Sequence, residues 1–265
     1  MVITSPHNET VKDIRRLRQS KGDRALLEGP HLLSDALDAK LPLETVLVTP
    51  EARQRPDVAA ILARLPRPPL EVDARILDRL ADADSPRGLV AVARLPRPGL
   101  DALPVVSQGV YVFAEGLQDP GNLGALARST EAFGGSALVL APGSVHPNHP
   151  RALRASAGSL LRLPVATRSS LDALRTRLGA LEPRCLALVP HGGDDLLGAD
   201  LSGTLVLLLG AEGPGLSADA LDGATGRLTI PFASPVESLN ATVAAAVALF
   251  EIRRRRATAA VNPPA

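Results

Sequence analysis

The sequence predicts an α/β protein built around a parallel β-sheet. Short apolar segments alternate along the chain with segments of helical spacing, and this alternation is typical of parallel strands covered by helices. Two of the apolar segments, "RCLALVP" and "TLVLLLG", contain almost no polar residue. Such runs favour strands that are buried on both faces of a sheet.

Composition limits the classes of function. The 265-residue chain is 45% hydrophobic, enough for one large domain or two smaller ones. It has no tryptophan, one tyrosine and four phenylalanines, which disfavours an RNA-binding surface that stacks bases on aromatic rings. The single Cys185 excludes an internal disulfide and a cysteine metal cluster, and we predict no metal. No signal peptide or apolar run of transmembrane length is visible, so we expect a soluble cytoplasmic protein without a membrane partner.

The first 95 residues are predicted to alternate helices and strands. The predicted helices are "TVKDIRRLRQ", "PHLLSDALDA", "PDVAAILARL" and "ARILDRLAD", and the predicted strands are "TVLVT" (45–49), "LEVD" and "GLVAVAR" (88–94). The segment that follows, "LPRPGLDALPVVSQG", contains three prolines and two glycines, which indicates a linker. We therefore predict a first domain at 1–95, a linker at 96–109 and a second domain at 110–258.

The second domain repeats the alternation. Its predicted strands are "VYVFAE" (110–115), "SALVLA" (136–141), "RLPVAT", "RCLALVP", "TLVLLLG" and "GRLTIPF". Its predicted helices start within "LQDPGNLGALARST", run through "HPRALRASAGSL" up to Gly158, cover "SLDALRTRLGAL", and end with a long helix from about 236 to 256.

Charge is unevenly distributed although the formal net charge is only +1. Residues 12–24 carry six basic and two acidic side chains, and residues 253–256 are four consecutive arginines. Both runs are compatible with solvated helix faces or with a surface that contacts nucleic-acid phosphates.

Three loops at predicted strand ends have unusual compositions. Ligands of open α/β sheets bind beyond the carboxyl ends of strands, which makes these loops candidates for a site. The first, "LQDPGNLGALARST" (117–130), places Asn122 and Arg128 at the front of a helix; a plain helix cap by Asp119 or Asn122 also accounts for part of it. It lacks the G-x-G-x-x-G spacing of a dinucleotide-binding turn.

The second loop, "LLLGAEGPGLS" (207–217), carries Glu212 among glycines, which let a ligand approach the backbone closely. In the third, "IPFASPVESLNATVAAAVALFEIRR" (230–254), Ser238 and Asn240 precede an alanine-rich helix. Ser238 as a helix cap and Asn240 as a buried, hydrogen-bonded amide are the structural alternatives.

Together, "NLGALAR", "LGAEGPGLS" and "IPFASPVESLNATVAAAVALFE" resemble the three signature motifs of the SpoU (TrmH-like) RNA 2′-O-ribose methyltransferases, in the family's order. The stretch "RALRASAGSLLRLPV" (151–165) resembles the segment between motifs one and two. The N-terminal part, with "KDIRRLRQSKGDRALLEGPHLLSDAL" and "SPRGLVAVA", resembles the L30e-like substrate-binding domain of many members. Phe232, where members often have Met, and Ser234-Pro235, in place of a glycine-rich turn, depart from the pattern.

The resemblance implies a SPOUT-type trefoil knot in the C-terminal domain, S-adenosyl-L-methionine as cofactor, and a homodimer whose active site spans both subunits. Knots are otherwise almost absent from proteins. It implies transfer of a methyl group to a ribose 2′-OH in RNA, with 23S rRNA favoured over tRNA. The residues it assigns to catalysis are Arg128, Asn122, Glu212, Ser238 and Asn240.

The resemblance also implies a set of cofactor-binding residues, and the basic run 12–24 predicts a set of RNA-binding residues. The expected cofactor-binding residues are Leu140, Gly210, Ala211, Glu212, Gly213, Gly215, Ile230, Ser238 and Leu239. The expected RNA-binding residues are Lys12, Arg15, Arg16, Arg18, Lys21 and Arg24, with Glu28 and Gly29 in the family's segment before the next helix.

Other functions stay open at this point. A methyltransferase of the same fold could modify tRNA or a base atom, and an enzyme that protects rRNA from an antibiotic would have the same architecture. A non-catalytic RNA-binding or ribosome-assembly protein is the alternative from another class. A dinucleotide-dependent enzyme is disfavoured by the missing glycine fingerprint.

Overall fold

The computed structural model describes residues 2–17, 22–81, 87–95, 97, 99–233 and 235–261. The chain forms two compact units: Met1–Pro96 with His146–Arg162, and Arg97–Val145 with Leu163–Ala265. The segment His146–Arg162 thus groups with the first unit, although it lies inside the range 110–258 that we predict as one domain. The predicted domain bounds stay a prediction.

The first unit contains a five-stranded mixed sheet in the order β1-β4-β3-β5-β2. Strand β5 is antiparallel to β2 and β3, whereas β4 is parallel to β1 and β3. A core that includes Ile14, Leu47, Leu77 and Val90 holds helices α1 and α5 against one face. The elements up to residue 94 are β1 (Val2–Ile3), α1 (Glu9–Leu17), β2 (Arg24–Glu28), α2 (Pro30–Asp38), β3 (Leu43–Val48), α3 (Pro50–Arg53), α4 (Pro56–Leu62), β4 (Leu70–Val72), α5 (Ala74–Leu80) and β5 (Leu89–Arg94).

The second unit contains a seven-stranded, fully parallel sheet in the order β10-β12-β9-β11-β6-β7-β8. The remaining elements of the chain are β6 (Val110–Ala114), α6 (Pro120–Ala132), β7 (Ala137–Leu140), α7 (Pro150–Ala155), α8 (Ser159–Arg162), β8 (Val165–Thr167), α9 (Leu171–Leu178), β9 (Arg184–Leu188), β10 (Asp194–Asp195), β11 (Leu205–Leu209), α10 (Ala218–Asp222), β12 (Gly226–Thr229) and α11 (Ala241–Val261). Helices α7 and α8 belong to the first unit.

The central strands of the parallel sheet agree with the sequence prediction. Every residue of β6 and of β11 is buried, as expected for apolar strands that are covered on both faces. Strand β11 pairs with β6 on one side and with β9 on the other. The carboxyl ends of these three strands therefore lie side by side at one edge of the sheet.

Two predicted helices differ from the observed ones. The long helix starts at Ala241 rather than near 236, because the Asn240 side chain accepts a hydrogen bond from the Thr242 backbone N–H over 2.9 Å and caps it there. The helix predicted up to Gly158 ends at Ala155, and a separate short helix, α8, begins at Ser159. Ala157 and Gly158 both adopt positive φ, 46° and 82°, which right-handed helix does not allow.

The segment predicted as a linker contributes to the second unit. Leu103 is buried in its core. The hydroxyl of Tyr111 donates to the Pro104 carbonyl over 2.8 Å and accepts from the Val106 N–H over 2.9 Å. These contacts fix part of the proline-rich stretch against β6.

Arginines of the run 253–256 form hydrogen bonds with backbone carbonyls of neighbouring loops. Arg255 donates to the Leu196 carbonyl over 2.7 Å, and Arg256 donates to the Gly203 carbonyl over 2.7 Å. Arg254 and Arg255 both pair with Glu251, a side chain that is only 8% exposed. Hydrogen bonds from these two guanidinium groups lower the pKa of Glu251 to about 2. At least three of the four arginines therefore have structural partners.

The described part of the chain contains neither a membrane-spanning helix nor a cluster of metal ligands. None of its helices combines the length and apolar character needed to cross a bilayer. Within the same residues, no cluster of three or more His, Cys, Asp or Glu side chains is arranged to hold a metal ion.

Candidate functional site

A cavity of about 340 Å³ opens at the carboxyl ends of β9, β11 and β12. Four segments line it: residues 188–190 at the end of β9, residues 209–216 at the end of β11, residues 228–232 at the end of β12, and residues 238–244 at the start of α11. The second and third sequence motifs thus form opposite parts of one concave site.

Most of the residues expected to bind a cofactor line this cavity. The set comprises Gly210, Ala211, Glu212, Gly213, Gly215, Ile230, Ser238 and Leu239. Leu140 does not line it: this residue ends β7, is almost fully buried, and lies on a strand separated from β11 by β6. The expectation for Leu140 has no support in the cavity geometry.

The loop after β11 has a shape that requires glycine. A Cβ atom at Gly210 would lie 2.1 Å from the Gly215 carbonyl carbon, closer than real Cβ atoms approach. Ala211 and Gly215 exchange two backbone hydrogen bonds of 3.0 Å each, and Gly213 and Gly215 have φ of 89° and 76°. The loop is therefore a closed hairpin that exposes backbone groups to the cavity.

The carboxylate of Glu212 joins residues from all three motifs. Its Oε1 atom accepts hydrogen bonds from the side-chain amides of Asn122 and Asn240, the latter over 2.8 Å. The Asn240 Oδ1 atom accepts from the backbone N–H groups of Thr242 and Val243, so its amino group is directed at Glu212. Asp119 caps α6 by accepting from the Asn122 N–H over 2.8 Å. The structure thus brings Asn122, Glu212 and Asn240 together at the cavity.

Ser238 and Arg128 stand apart from this cluster. Ser238 is exposed and lines the cavity, and its side chain makes no hydrogen bond to a residue that the structure describes. Arg128 is exposed on α6 and makes no ion pair or hydrogen bond with the described residues. Arg128 follows Asn122 by six positions, and at 100° per residue this places the two side chains roughly 120° apart around the helix. Arg128 is therefore not brought to the cluster within one chain.

Arg128 lies beside an apolar groove on the same unit. Ala125 and Ser129 of α6, and Phe133 directly after it, line this groove with five residues of α11. Phe133 meets Phe250 edge-to-face with ring centroids 5.7 Å apart. Three large apolar side chains of α11 are exposed there: Val243 (50%), Val247 (38%) and Phe250 (52%).

Some basic side chains of α1 and β2 bind carboxylates, and others are exposed to solvent. Arg24 binds Asp13 over 2.6 Å and Glu44 over 2.7 Å, and its hydrogen bond holds the pKa of Asp13 below the usual range. Lys12 binds Glu9 over 2.8 Å. Arg15 and Arg16 are exposed on α1.

Three positions named in the sequence analysis, Arg18, Lys21 and Ser234, lie outside the described residues.

Sequence reasoning missed part of the cavity wall. Leu188, Val189 and Pro190 line the cavity, and Phe232, noted only as a departure from the family pattern, lines it too. The His191 ring contacts Phe232 with centroids 5.7 Å apart. Their position could have indicated them, because Leu188 ends β9 and Val189 and Pro190 follow it directly, at the same edge of the sheet as the recognised loops.

Comparisons with known proteins identify the family of the chain. The profile of the SpoU rRNA Methylase family matches residues 109–250, and that of the MRM3-like substrate binding domain matches residues 8–91. An uncharacterized tRNA/rRNA methyltransferase of Synechocystis sp. is 35% identical over 260 residues, which cover 96% of this chain and 94% of the relative. The 23S rRNA (guanosine(2553)-2′-O)-methyltransferase RlmP of Bacillus subtilis is 29% identical over 255 residues, covering 95% and 98% of the two chains.

A solved structure has the same fold. The SpoU methyltransferase AviRb from Streptomyces viridochromogenes, crystallised in complex with the cofactor AdoMet, matches with a TM-score of 0.87 at 26% identity, covering 95% of this chain and 99% of that one. With a family profile that spans more than half of the residues and a relative that is 35% identical over nearly the full length, the chain belongs to the SpoU rRNA methylase family.

Proposed function

We propose that this protein transfers a methyl group from S-adenosyl-L-methionine to a ribose 2′-OH of RNA, with 23S rRNA as the substrate. The observation that carries the proposal is the Glu212 carboxylate, which holds Asn122 and Asn240 at the rim of the cavity. Family membership and the activity named for the Bacillus subtilis relative support it.

The residues of the cavity fit this cofactor. Its walls combine apolar side chains such as Leu209, Ile230 and Leu239 with the exposed backbone of a glycine loop, a combination suited to an adenine ring and its hydrogen-bonding edge. Glu212 and Ser238 supply polar groups for hydroxyl or ammonium groups. When bound, the cofactor supplies a methyl group that its positive sulfur has already made electrophilic.

The remaining task of the protein is to bind, align and assist ionisation of the 2′-OH. Orientation of the attacking oxygen is the largest contribution expected from fixed polar groups such as Asn122. Arginine stays protonated in proteins, so we assign Arg128 to stabilising the negative charge that develops on the 2′-oxygen. Glu212 orients the two amides; its contacts with them do not involve Arg128.

A homodimer is part of the proposal, because it would bring Arg128 to a site. The groove between α6 and α11 exposes Val243, Val247 and Phe250, and an apolar face of this kind is typical of a protein–protein interface. A second copy that packs there would approach Arg128 at the edge of the groove. The proposed catalytic centre then combines the Glu212 cluster of one subunit with Arg128 of the other.

The finer features of the fold are also proposals. We infer a trefoil knot from family membership and from the two cavity-lining segments 209–216 and 238–244 that the knot would bring together. We infer an L30e-like RNA-binding role for the N-terminal part from the match to a substrate-binding domain. Within it, the exposed Arg15 and Arg16 are better placed for phosphates than Arg24, which already binds two carboxylates.

The test is a methyl-transfer assay with labelled S-adenosyl-L-methionine and unmodified transcripts of 23S rRNA and tRNA, with Arg128→Ala as the inactive control. We expect label in 23S rRNA from the unchanged protein alone. Label only in tRNA would instead support tRNA as the substrate. Absence of label in both RNAs and in assembled ribosomal particles would favour the non-catalytic RNA-binding alternative.

A further inference from the structure

Glu115 contacts the end of the glycine loop, residues 210–216 after β11, from outside the cavity. Its Oε2 atom accepts a hydrogen bond from the Ser217 backbone N–H, and its Oε1 atom accepts one from the Ser217 hydroxyl, both over 2.9 Å. Neither Glu115 nor Ser217 lines the cavity. The carboxylate therefore binds the residue that ends the glycine loop without touching the space where a ligand would lie.

The backbone of Glu115 is held by the parallel sheet. It directly follows β6, which lies between β11 and β7 in the parallel sheet. Its backbone N–H donates to the Leu209 carbonyl over 2.9 Å, so the residue is fixed to the strand from which the loop leaves. The loop is thus held at its start by β11 and at its end by a side chain from the neighbouring strand.

The loop between these two points is closed by its own backbone hydrogen bonds. Ala211 and Gly215 are joined by two hydrogen bonds, and the contact of Gly210 with Gly215 leaves no room for a Cβ atom. A shift at Ser217 would therefore displace the cavity-lining backbone as a unit. Ser217 also caps α10 through a 3.2 Å hydrogen bond from the Ala220 N–H, and its hydroxyl donates to Glu115 because an ionised carboxylate can only accept.

We propose that Glu115 is a positioning residue, which acts through Ser217 to hold the loop 210–216 in the shape that binds S-adenosyl-L-methionine. This inference rests on the proposed function, since it assumes that the cavity is the cofactor site. A carboxylate suits the role because both of its oxygens accept from the two donors of Ser217. The amide of glutamine has one acceptor oxygen, and its amino group would face the hydroxyl.

The experiment compares binding of S-adenosylhomocysteine by isothermal titration calorimetry in the full-length protein. The variants are Glu115→Gln, Ser217→Ala and the double substitution, and Asp222→Asn, an exposed carboxylate on α10, is the matched control. We expect Glu115→Gln to raise the Kd about tenfold, the scale of one lost charge-assisted hydrogen bond. The double variant should lose less than the sum of the single ones, and Asp222→Asn should bind as the unchanged protein does.

A second readout separates positioning from general destabilisation. At saturating cofactor, kcat of Glu115→Gln should stay within about twofold of the unchanged protein while KM for the cofactor rises, because the loop is then held by its ligand. Unchanged affinity in Glu115→Gln, or additive losses in the double variant, would overturn the positioning role. Failure of the unchanged protein to bind S-adenosylhomocysteine would instead overturn the cofactor site itself.

Discussion

The Glu212 Oε1 atom accepts a hydrogen bond from Asn240 Nδ2 over 2.8 Å, although 28 positions separate the two residues in the chain. The same oxygen accepts from the Asn122 amide, which is 90 positions away. One carboxylate thus links the first turn of α6, the glycine loop and the start of α11. The proposed chemistry depends on this link, since it orients polar groups at the cavity before any ligand arrives.

Removal of the Glu212 side chain should slow methyl transfer. Glu212→Ala leaves the amides of Asn122 and Asn240 without their common acceptor, and we expect kcat to fall roughly 10- to 100-fold. Glu212→Gln can still accept through its oxygen and should lose less. Single-turnover rates at saturating RNA and cofactor measure the difference. Equal rates for Glu212→Ala and the unchanged protein would contradict the assignment.

Arg128 should act on catalysis and little on cofactor binding. We expect Arg128→Ala to reduce kcat roughly 10²- to 10³-fold, because a fixed charge that stabilises the developing alkoxide is lost. The Kd for S-adenosylhomocysteine should stay within about twofold, since Arg128 is not among the residues that line the cavity. Rate measurements and calorimetry on the same variant test this expectation. An equal loss in kcat and in affinity for S-adenosylhomocysteine would contradict the catalytic role of Arg128.

A charge in the groove between α6 and α11 should break the homodimer. Val247→Glu places a carboxylate on the exposed apolar face, where its desolvation at an interface is costly. Sedimentation-velocity analysis should show monomers of the variant and dimers of the unchanged protein. Leu197→Glu is the matched control, since Leu197 is 63% exposed and does not line this groove. Dimers in both variants would place the interface elsewhere.

The first unit should bind RNA through Arg15 and Arg16 rather than through Arg24. We expect Arg15→Ala with Arg16→Ala to weaken RNA binding and to reduce the slope of log Kd against log salt by roughly 1 per arginine. Arg24→Ala should mainly lower the melting temperature, because it removes the partner of Asp13 and Glu44. Filter binding at several salt concentrations tests this, with Arg67→Ala as the exposed control. Unchanged salt slopes would contradict the RNA-binding role.

The ion pairs of Glu251 should make the folded state less stable as the pH falls into the acid range. Its pKa is lowered to about 2 by hydrogen bonds from Arg254 and Arg255, so the ionised form is favoured in the folded state. The resulting stability is fully present above the ordinary glutamate pKa of about 4.3 and is lost as pH falls towards 2. Glu251→Gln should therefore lower the Tm by about 2–4 °C at pH 7 and by progressively less below pH 4. A pH-independent Tm difference would contradict the pairing.

Much of the parallel sheet can be predicted from sequence, because its strands are long apolar runs. "TLVLLLG" contains β11 and "VYVFAE" contains β6, each to within two residues. Strand β2 (Arg24–Glu28) was not predicted, because it adjoins a charged stretch and an aliphatic run too short to distinguish strand from helix. The start of α11 at Ala241 was also not predicted, because Ser238 and Asn240 are both residue types that cap helices and the sequence does not decide between them.

The residues of the candidate site could be predicted from the sequence, but the contacts between them could not. The motifs pointed to Asn122, Glu212 and Asn240 individually, whereas their meeting at one oxygen depends on the order of the strands. The hydrogen bonds between Glu115 and Ser217 could not be predicted from the sequence. A carboxylate that follows a buried strand can have many different partners, and the sequence does not indicate which one it binds.

The most direct test of the central claim is the chemical identity of the methylated product. RNA labelled by the protein would be digested to nucleosides and analysed by mass spectrometry, and a second portion would be cleaved with alkali. The account predicts a 2′-O-methylated nucleoside and one alkali-resistant linkage, since alkaline cleavage requires a free 2′-OH. A methylated base with every linkage cleaved would contradict ribose methylation, even though transfer from the cofactor had occurred.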